Sequence, residues 1–147
     1  MEITLREATE ADLPSILFLY AQLGQDDGTV LSQDEAGRIF ARMNTYPDYR
    51  IHVACIASRI IGTFALLIMD NLGHKGAPSA VLEDVVVDKG LRGQGVGRQM
   101  MAHANGLCRD KGCYKMAFTS NRNREAAHRF YESLGFEKHG YSFLVSY

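Results

Sequence analysis

Apolar residues recur along this chain with two periods, and the switches between them mark out its elements. Residues 3–6 alternate apolar and polar as a strand does. After the polar run 7–12, Leu13, Ile16, Leu17 and Tyr20 fall at helical spacing. Pro14 has no N–H to donate, so it belongs near the helix start, with Thr9 or Asp12 supplying the capping oxygen. Ser32 followed three residues later by Glu35 makes a capping box. Ala36, Ile39, Phe40 and Met43 then form one apolar stripe, which Tyr46-Pro47 ends. Residues 49–57 alternate again, with Ile51, Val53, Cys55 and Ala57 on one face, and Ser58-Arg59 turns the chain into residues 60–69. That pattern predicts an antiparallel hairpin.

Beyond a loop of turn formers at 70–79 the order of elements changes. A strand over 80–87 leads through a glycine loop into a helix running to about Lys111. A strand over 114–119, a helix over 123–134 and a C-terminal β segment complete the chain. Strand, helix, strand at this spacing is a parallel crossover unit. The fold class is therefore α+β: a mixed sheet with antiparallel strands first, one parallel pair in the second half, and about four helices.

Composition narrows the setting. The chain has 147 residues, 46% of them hydrophobic, which is the size of one ordinary domain with a core of its own. No repeat or linker-like stretch divides residues 1–147, so one domain is expected. With 16 basic and 17 acidic residues, no broad field points to nucleic acid or an anionic membrane. Cys55, Cys108 and Cys113 match neither a zinc ribbon nor a disulfide framework. His128 and His139 lack metal-ligand partners at useful spacing, so no metal is expected. No segment has the length of a membrane span and the N-terminus has no signal pattern, so the expectation is a soluble, cytoplasmic protein.

The loop Arg92-Gly93-Gln94-Gly95-Val96-Gly97-Arg98 lies directly after the apolar strand Val85-Val86-Val87 and directly before a helix. Glycines let backbone turn sharply and approach a ligand closely. The first N–H groups of the helix point outward, with the positive end of the helix dipole behind them. This is a seat for a pyrophosphate. A P-loop needs Lys-Ser or Lys-Thr after its last glycine, and the dinucleotide fingerprint needs glycines at first, third and sixth places. Glycines at 93, 95 and 97 fit neither.

Arg92, Gly95 and Gly97 do occupy the fixed places of the Arg/Gln-x-x-Gly-x-Gly signature of the GNAT N-acetyltransferases. Downstream, Asn123, Ala127, Phe130-Tyr131-Glu132 and Leu134-Gly135-Phe136 resemble the family's second motif, in order and distance. The resemblance covers residues 80–136. It implies acetyl-CoA as cosubstrate, seated where a bulged strand ending at Val87 splays from the strand ending at Thr119. The loop 92–98 would hold the pyrophosphate. Val85 and Val87 would pair with the pantetheine arm through their backbones, and the N–H of Val86 or Val85 would polarise the thioester carbonyl. Asn123, Ala127 and Phe130 would complete the cofactor side, Asn123 by bonding the pantetheine amides or by capping its helix. A homodimer through the C-terminal strands is a partner arrangement the resemblance allows.

Amine acetylation needs a base for the ammonium proton and an acid for the departing thiolate. Glu83 and Asp84 lie on the strand entering the loop, and alternation would send one to each face of the sheet. The resemblance selects Glu83 as base and Tyr131 as acid. A direct transfer is expected rather than an acetyl-cysteine route. For the acceptor, Leu82-Glu83-Asp84-Val85-Val86-Val87, the glycine loop and Gly112-Cys113-Tyr114-Lys115 look like glucosamine-phosphate acetyltransferases. Ala127-His128-Arg129-Phe130-Tyr131 and an ending with Phe143 look like aminoalkylphosphonate acetyltransferases. Both resemblances imply a small primary amine bearing phosphate or phosphonate, with Arg38, Arg42, Arg50, Arg122 and Arg124 available to meet the anion. A protein or peptide amine, or a CoA-binding module without turnover, are the alternatives.

Overall fold

Five strands and four helices form where the apolar periods place them, in a computed structural model that describes residues 1–147. The chain divides into two compact units, Met1–Ala117 and Phe118–Tyr147. The first holds β1 (Thr4–Glu7), α1 (Leu13–Ala21), α2 (Gln33–Met43), β2 (Tyr49–Ile56), β3 (Arg59–Met69), β4 (Ser79–Val87), α3 (Val96–Asp110) and β5 (Lys115–Ala117). The sheet runs β1-β2-β3-β4-β5, antiparallel at the first three junctions and parallel at β4–β5, as the sequence order requires.

Each helix starts for a local reason. Asp12 accepts the Thr9 N–H at 2.8 Å and both terminal nitrogens of Arg6 at 2.7 and 3.0 Å, which fastens β1 to the entry of α1. The Arg6 guanidinium, foremost through these hydrogen bonds, holds the Asp12 carboxyl down at about 2. Ser32 accepts the Glu35 N–H at 3.3 Å, the capping half of the expected box. The hairpin turn falls one residue earlier than the sequence pattern places it. Ala57 and Ser58 form it, and Ala57 takes a left-handed φ of 51°.

The sheet is covered on both faces. On one, Leu13, Ile16 and Leu17 of α1 and Ala36 and Phe40 of α2 bury against Ile51, Val53, Cys55 and Ala65. The other face belongs to α3, whose Val96, Met100, Met101 and Ala104 are at most 1% exposed. Burial of each such large side chain stabilises the fold by roughly 1.5–3 kcal/mol. Close approach here depends on Gly62 of β3: a Cβ at that position would sit 2.7 Å from Met100 Sδ and 3.2 Å from the Val86 carbonyl oxygen.

β4 departs from a regular strand in two places. Thr63 pairs with Val86 and Ala65 with Glu83, so Asp84 and Val85 together oppose the single residue Phe64. This is a β-bulge, and Asp84 takes a left-handed φ of 51° within it. On its other side β4 pairs with β5 only from Ser79↔Lys115 to Val81↔Ala117. β4 then continues to Val87 with no strand beside that edge.

The second unit holds α4 (Glu125–Ser133), ended by Gly135 at a φ of 90°. The strand expected over 114–119 is shorter, Lys115–Ala117, because its ladder with β4 stops there. The expected C-terminal β segment is not a strand. Tyr141, Phe143 and Tyr147 are at least 92% exposed, and alternation without a neighbouring edge to bond makes no ladder. No helix is long and apolar enough to cross a membrane.

One buried group gives the fold an acid sensitivity. His52 of β2 is 4% exposed, stacks on Phe64 with ring centroids 5.0 Å apart, and meets His103 of α3 edge-on at 5.6 Å. Its Nδ1 has no hydrogen-bond partner. Burial foremost, then the neighbouring His103 and Arg50 against an opposing pull from Asp48, lowers its pKa to about 4. The unfolded chain therefore binds a proton near pH 6.5 that the folded chain refuses until about pH 4. Stability that is full above pH ~6.5 is lost as pH falls between those values. Urea unfolding of the parent should lose about 2–3 kcal/mol between pH ~7.5 and ~4.5 through this group, and His52→Gln should flatten that dependence. An equally steep dependence in the variant would contradict the assignment.

Candidate functional site

The end of β4 and the start of α3 form one side of the site. After Val87, a 3-10 turn at Lys89–Leu91 redirects the chain, and three side chains fix it. Gln22, just past α1, accepts the Lys89 N–H at 2.8 Å. Asp88 accepts the Gly90 N–H and a nitrogen of Arg59, both at 2.9 Å, and the Gly90 bond foremost lowers its pKa. Arg92 donates its Nε to the Val87 carbonyl at 3.3 Å, and Gln94 donates to the Gly90 carbonyl at 3.4 Å. Both side chains thus hold the loop's own shape.

Gly93 and Gly95 take φ values of 77° and 86°, conformations that L side chains rarely adopt, and a Cβ at either would meet nothing within 4 Å. Their necessity is conformational, and the space before them is open to a ligand. Gly95 is the residue before α3 and offers no side-chain cap, while the Gln99 N–H is the first to close back on the Gly95 carbonyl. The N–H groups of Val96, Gly97 and Arg98 are therefore available to an anion, with the helix dipole behind them. Gly97 lies inside the first turn of α3, and Arg92 and Arg98 are exposed beside it. Val85, Val86 and Val87 carry the open edge of β4, with only Val86 of the three buried. A strand edge that runs into an uncapped helix start fits a ligand with an extended amide arm and a pyrophosphate.

The opposite side of β4 corrects one expectation. Glu83 and Asp84 do not go to opposite faces. They line one cavity of about 350 Å³ together with Tyr46, Tyr49, Leu67 and Val81. Tyr49, Leu67 and Val81 are cross-strand neighbours on β2, β3 and β4, so they form a continuous apolar row. Glu83 follows Val81 on the same face by ordinary alternation, and the bulge adds Asp84. Burial raises the Asp84 pKa. Tyr20 of α1 is half-buried, and its pKa is raised by burial foremost and then by Asp84 and Tyr49. Arg50 donates to the carbonyls of Tyr46 and Tyr49 at 3.1 and 2.8 Å, which pins the turn at Tyr46 to the start of β2. No arginine lines the cavity. Arg38 borders a different concavity with Glu10, Gln33 and Asp34.

In the second unit, Tyr131 packs among aromatic rings, with centroids 4.4 Å from Phe118, 5.4 Å from Phe130 and 6.0 Å from Phe136. Burial raises its pKa, against a smaller opposing effect of Arg124, so the phenol keeps its proton at neutral pH. Asn123 does not cap α4. Arg124 holds the position before the helix, and Asn121 turns the chain by accepting the Asn123 N–H on its side chain at 2.9 Å and the Arg124 N–H on its carbonyl at 3.0 Å. Ala127 and Phe130 are half-buried on the helix. Among the cysteines, Cys55 and Cys108 are buried, and burial pushes the Cys108 thiol up to about 12. Such a thiol is a poor nucleophile.

The bulged strand that the family resemblance implies is present, at Asp84 and Val85. Sequence reasoning missed Tyr46, Tyr49, Gln22, Asp88 and the shared placement of Glu83 and Asp84 that the bulge brings about. One signal was available: two adjacent acids inside an otherwise apolar strand cannot both follow alternation without placing one in the core. Nothing comparable marks Gln22, which acts on a residue 67 positions away.

Known proteins share this architecture and sequence. Residues 15–136 match the acetyltransferase (GNAT) family. A glucosamine 6-phosphate N-acetyltransferase of Trypanosoma brucei brucei is 34% identical over 141 residues, covering 95% of this chain and 92% of that protein. An aminoalkylphosphonate N-acetyltransferase of Salmonella typhimurium is 27% identical, covering 95% and 88%. Among solved structures, a putative acetyltransferase from Agrobacterium tumefaciens superposes with a TM-score of 0.92 at 37% identity, covering 98% of this chain and 99% of that one. With both family motifs on the elements they require, the chain belongs to the GNAT family of acetyltransferases and has its fold.

Proposed function

We propose that this acyltransferase moves the acetyl group of acetyl-CoA directly to the primary amine of a small molecule that also carries phosphate or phosphonate. The observation that carries the reading is β4 itself. One strand has an open edge leading to an uncapped helix start, and its α1/α2 face bears two carboxylates in a cavity. A donor at the edge and an amine at the carboxylates would meet across the thickness of one strand.

In this reading the N–H groups of Val96, Gly97 and Arg98 hold the pyrophosphate, with Gly93, Gln94 and Gly95 shaping the approach and Arg92 and Arg98 adding charge. Val85 and Val87 bond the pantetheine arm along the open edge, and a backbone N–H of Val85 or Val86 donates to the thioester oxygen. Glu83 takes the ammonium proton, directly or through water, so that the nitrogen lone pair attacks the carbonyl carbon. Tyr131 gives its proton to the sulfur as the carbon–sulfur bond breaks. Asn123, Ala127 and Phe130 complete the donor side. Nitrogen loses two protons in becoming the amide. Glu83 takes the first before attack and passes it to solvent. The second leaves the tetrahedral intermediate's nitrogen and restores the Tyr131 phenol that has protonated sulfur, so one proton is released per turnover.

The phosphorus-bearing acceptor is supported by the two relatives, named for glucosamine 6-phosphate and for aminoalkylphosphonates. Catalytic efficiency should be higher for glucosamine 6-phosphate and for aminoalkylphosphonates with several carbons between nitrogen and phosphorus than for the same amines without phosphorus, measured by release of free thiol. Equal or better rates without the anion would contradict this acceptor class.

Tyr131→Phe removes the phenolic proton and keeps the ring among Phe118, Phe130 and Phe136. Its turnover should fall about 10²- to 10⁴-fold with acetyl-CoA affinity retained. Turnover within about twofold of the parent would make Tyr131 a packing residue.

A further inference from the structure

The cavity on the α1/α2 face of β4 has an unusual composition for a site that meets a phosphorylated amine. Its polar lining is two carboxylates, Glu83 and Asp84, and two tyrosines, Tyr46 and Tyr49, over the apolar row of Leu67 and Val81. Arg50, the arginine tied to this region, has its guanidinium engaged with the carbonyls of Tyr46 and Tyr49. The cavity can therefore welcome an ammonium group and repels an anion.

Asp84 is in this cavity only because of the bulge. A strand with unbroken alternation would carry it to the face opposite Glu83, where α3 packs. The bulge needs a residue that tolerates the left-handed region, and Asp is one of the few besides glycine and Asn that does. The side chain that permits the backbone geometry is thus also the one that brings charge into the cavity. Asp84 itself is solvent-accessible, so its carboxylate is open to a ligand entering the cavity.

We propose that Asp84 is the anchor for the acceptor's ammonium group, and that its position beside Glu83 makes the enzyme select amines whose own negative charge is remote from the nitrogen. This rests on the acetyl-transfer reading above. A phosphonate one carbon from the amine would be forced against the paired carboxylates of Glu83 and Asp84. A phosphorus group several bonds away passes the Tyr46/Tyr49 rim and leaves the cavity. Sugar phosphates with separated amine and phosphate, and long aminoalkylphosphonates, are the acceptors that satisfy this geometry, while α-aminophosphonates are not.

The test is a series of aminoalkylphosphonates with one to four methylenes between nitrogen and phosphorus. Each kcat/KM is divided by that for the alkanolamine of equal length, which removes the effect of length alone. In the parent the ratio should rise about tenfold or more across the series, the size expected when a repulsion at about 5 Å is relaxed to about 9 Å near a protein surface. In Asp84→Asn the rise should flatten to a few-fold, since Asn keeps the left-handed backbone and removes the charge. Asp84→Gly, which also keeps the bulge, should flatten it equally. A flat or falling ratio in the parent, or an unchanged rise in both variants, overturns the anchor while leaving acetyl transfer standing. Absence of turnover with every amine despite acetyl-CoA binding overturns the transfer reading and the anchor with it.

Discussion

A strand in the interior of a sheet can serve two neighbours only while its backbone stays in register with both. β4 fails that condition on each side. Toward β3 the extra residue at Asp84 and Val85 breaks the pairing opposite Phe64, and toward β5 the ladder stops at Val81↔Ala117. Everything chemically distinctive in the first unit stems from these two breaks. One brings Asp84 to the same cavity as Glu83, and the other leaves backbone groups of the strand's second half without a strand partner. Backbone donors left in that condition bond to something, and an extended amide chain is the natural complement.

Such an edge needs a rigid frame, and the frame lies mostly away from it. α3 is seated on Gly62 with Met100 and Met101 fully buried, which fixes the direction in which its N-terminus points. Gln22, Arg59 and Asp88 tie the turn after β4 to α1 and β3. These polar contacts hold the loop's start so that Gly93 and Gly95 need supply only their unusual dihedrals. The left-handed Asp84 is local strain of the kind that surrounding structure must over-determine. The uninterrupted apolar row of Tyr49, Leu67 and Val81 beside it is part of that support.

Most of this architecture was legible in the residues. Helical and strand periods located α1, α2, the β2–β3 hairpin and β4, because each element buries one face and must repeat at that face's period. The glycine loop was readable because its chemistry is local: dihedrals and helix-start N–H groups depend on a few adjacent residues. What escaped was non-local. The length of β5 is set by where β4 turns away, and the C-terminal alternation, Tyr141 to Tyr147, specifies a strand only in the presence of an edge. Alternation itself misassigned Asp84, since a bulge is a decision about pairing that single-strand periodicity does not contain. Asn123 failed as a cap for a smaller reason, as the turn on Asn121 shifted the helix start by one residue.

Donor binding along the open half of β4 and at the start of α3 is what the proposed chemistry stands on. Amide hydrogen exchange, resolved to single residues with and without saturating acetyl-CoA, tests it without a mutation. Protection should appear at Val85 to Val87 and at Val96, Gly97 and Arg98, with β2 and α2 unchanged. Binding that leaves those amides exchanging as in the free protein, or that protects α2 instead, would contradict it.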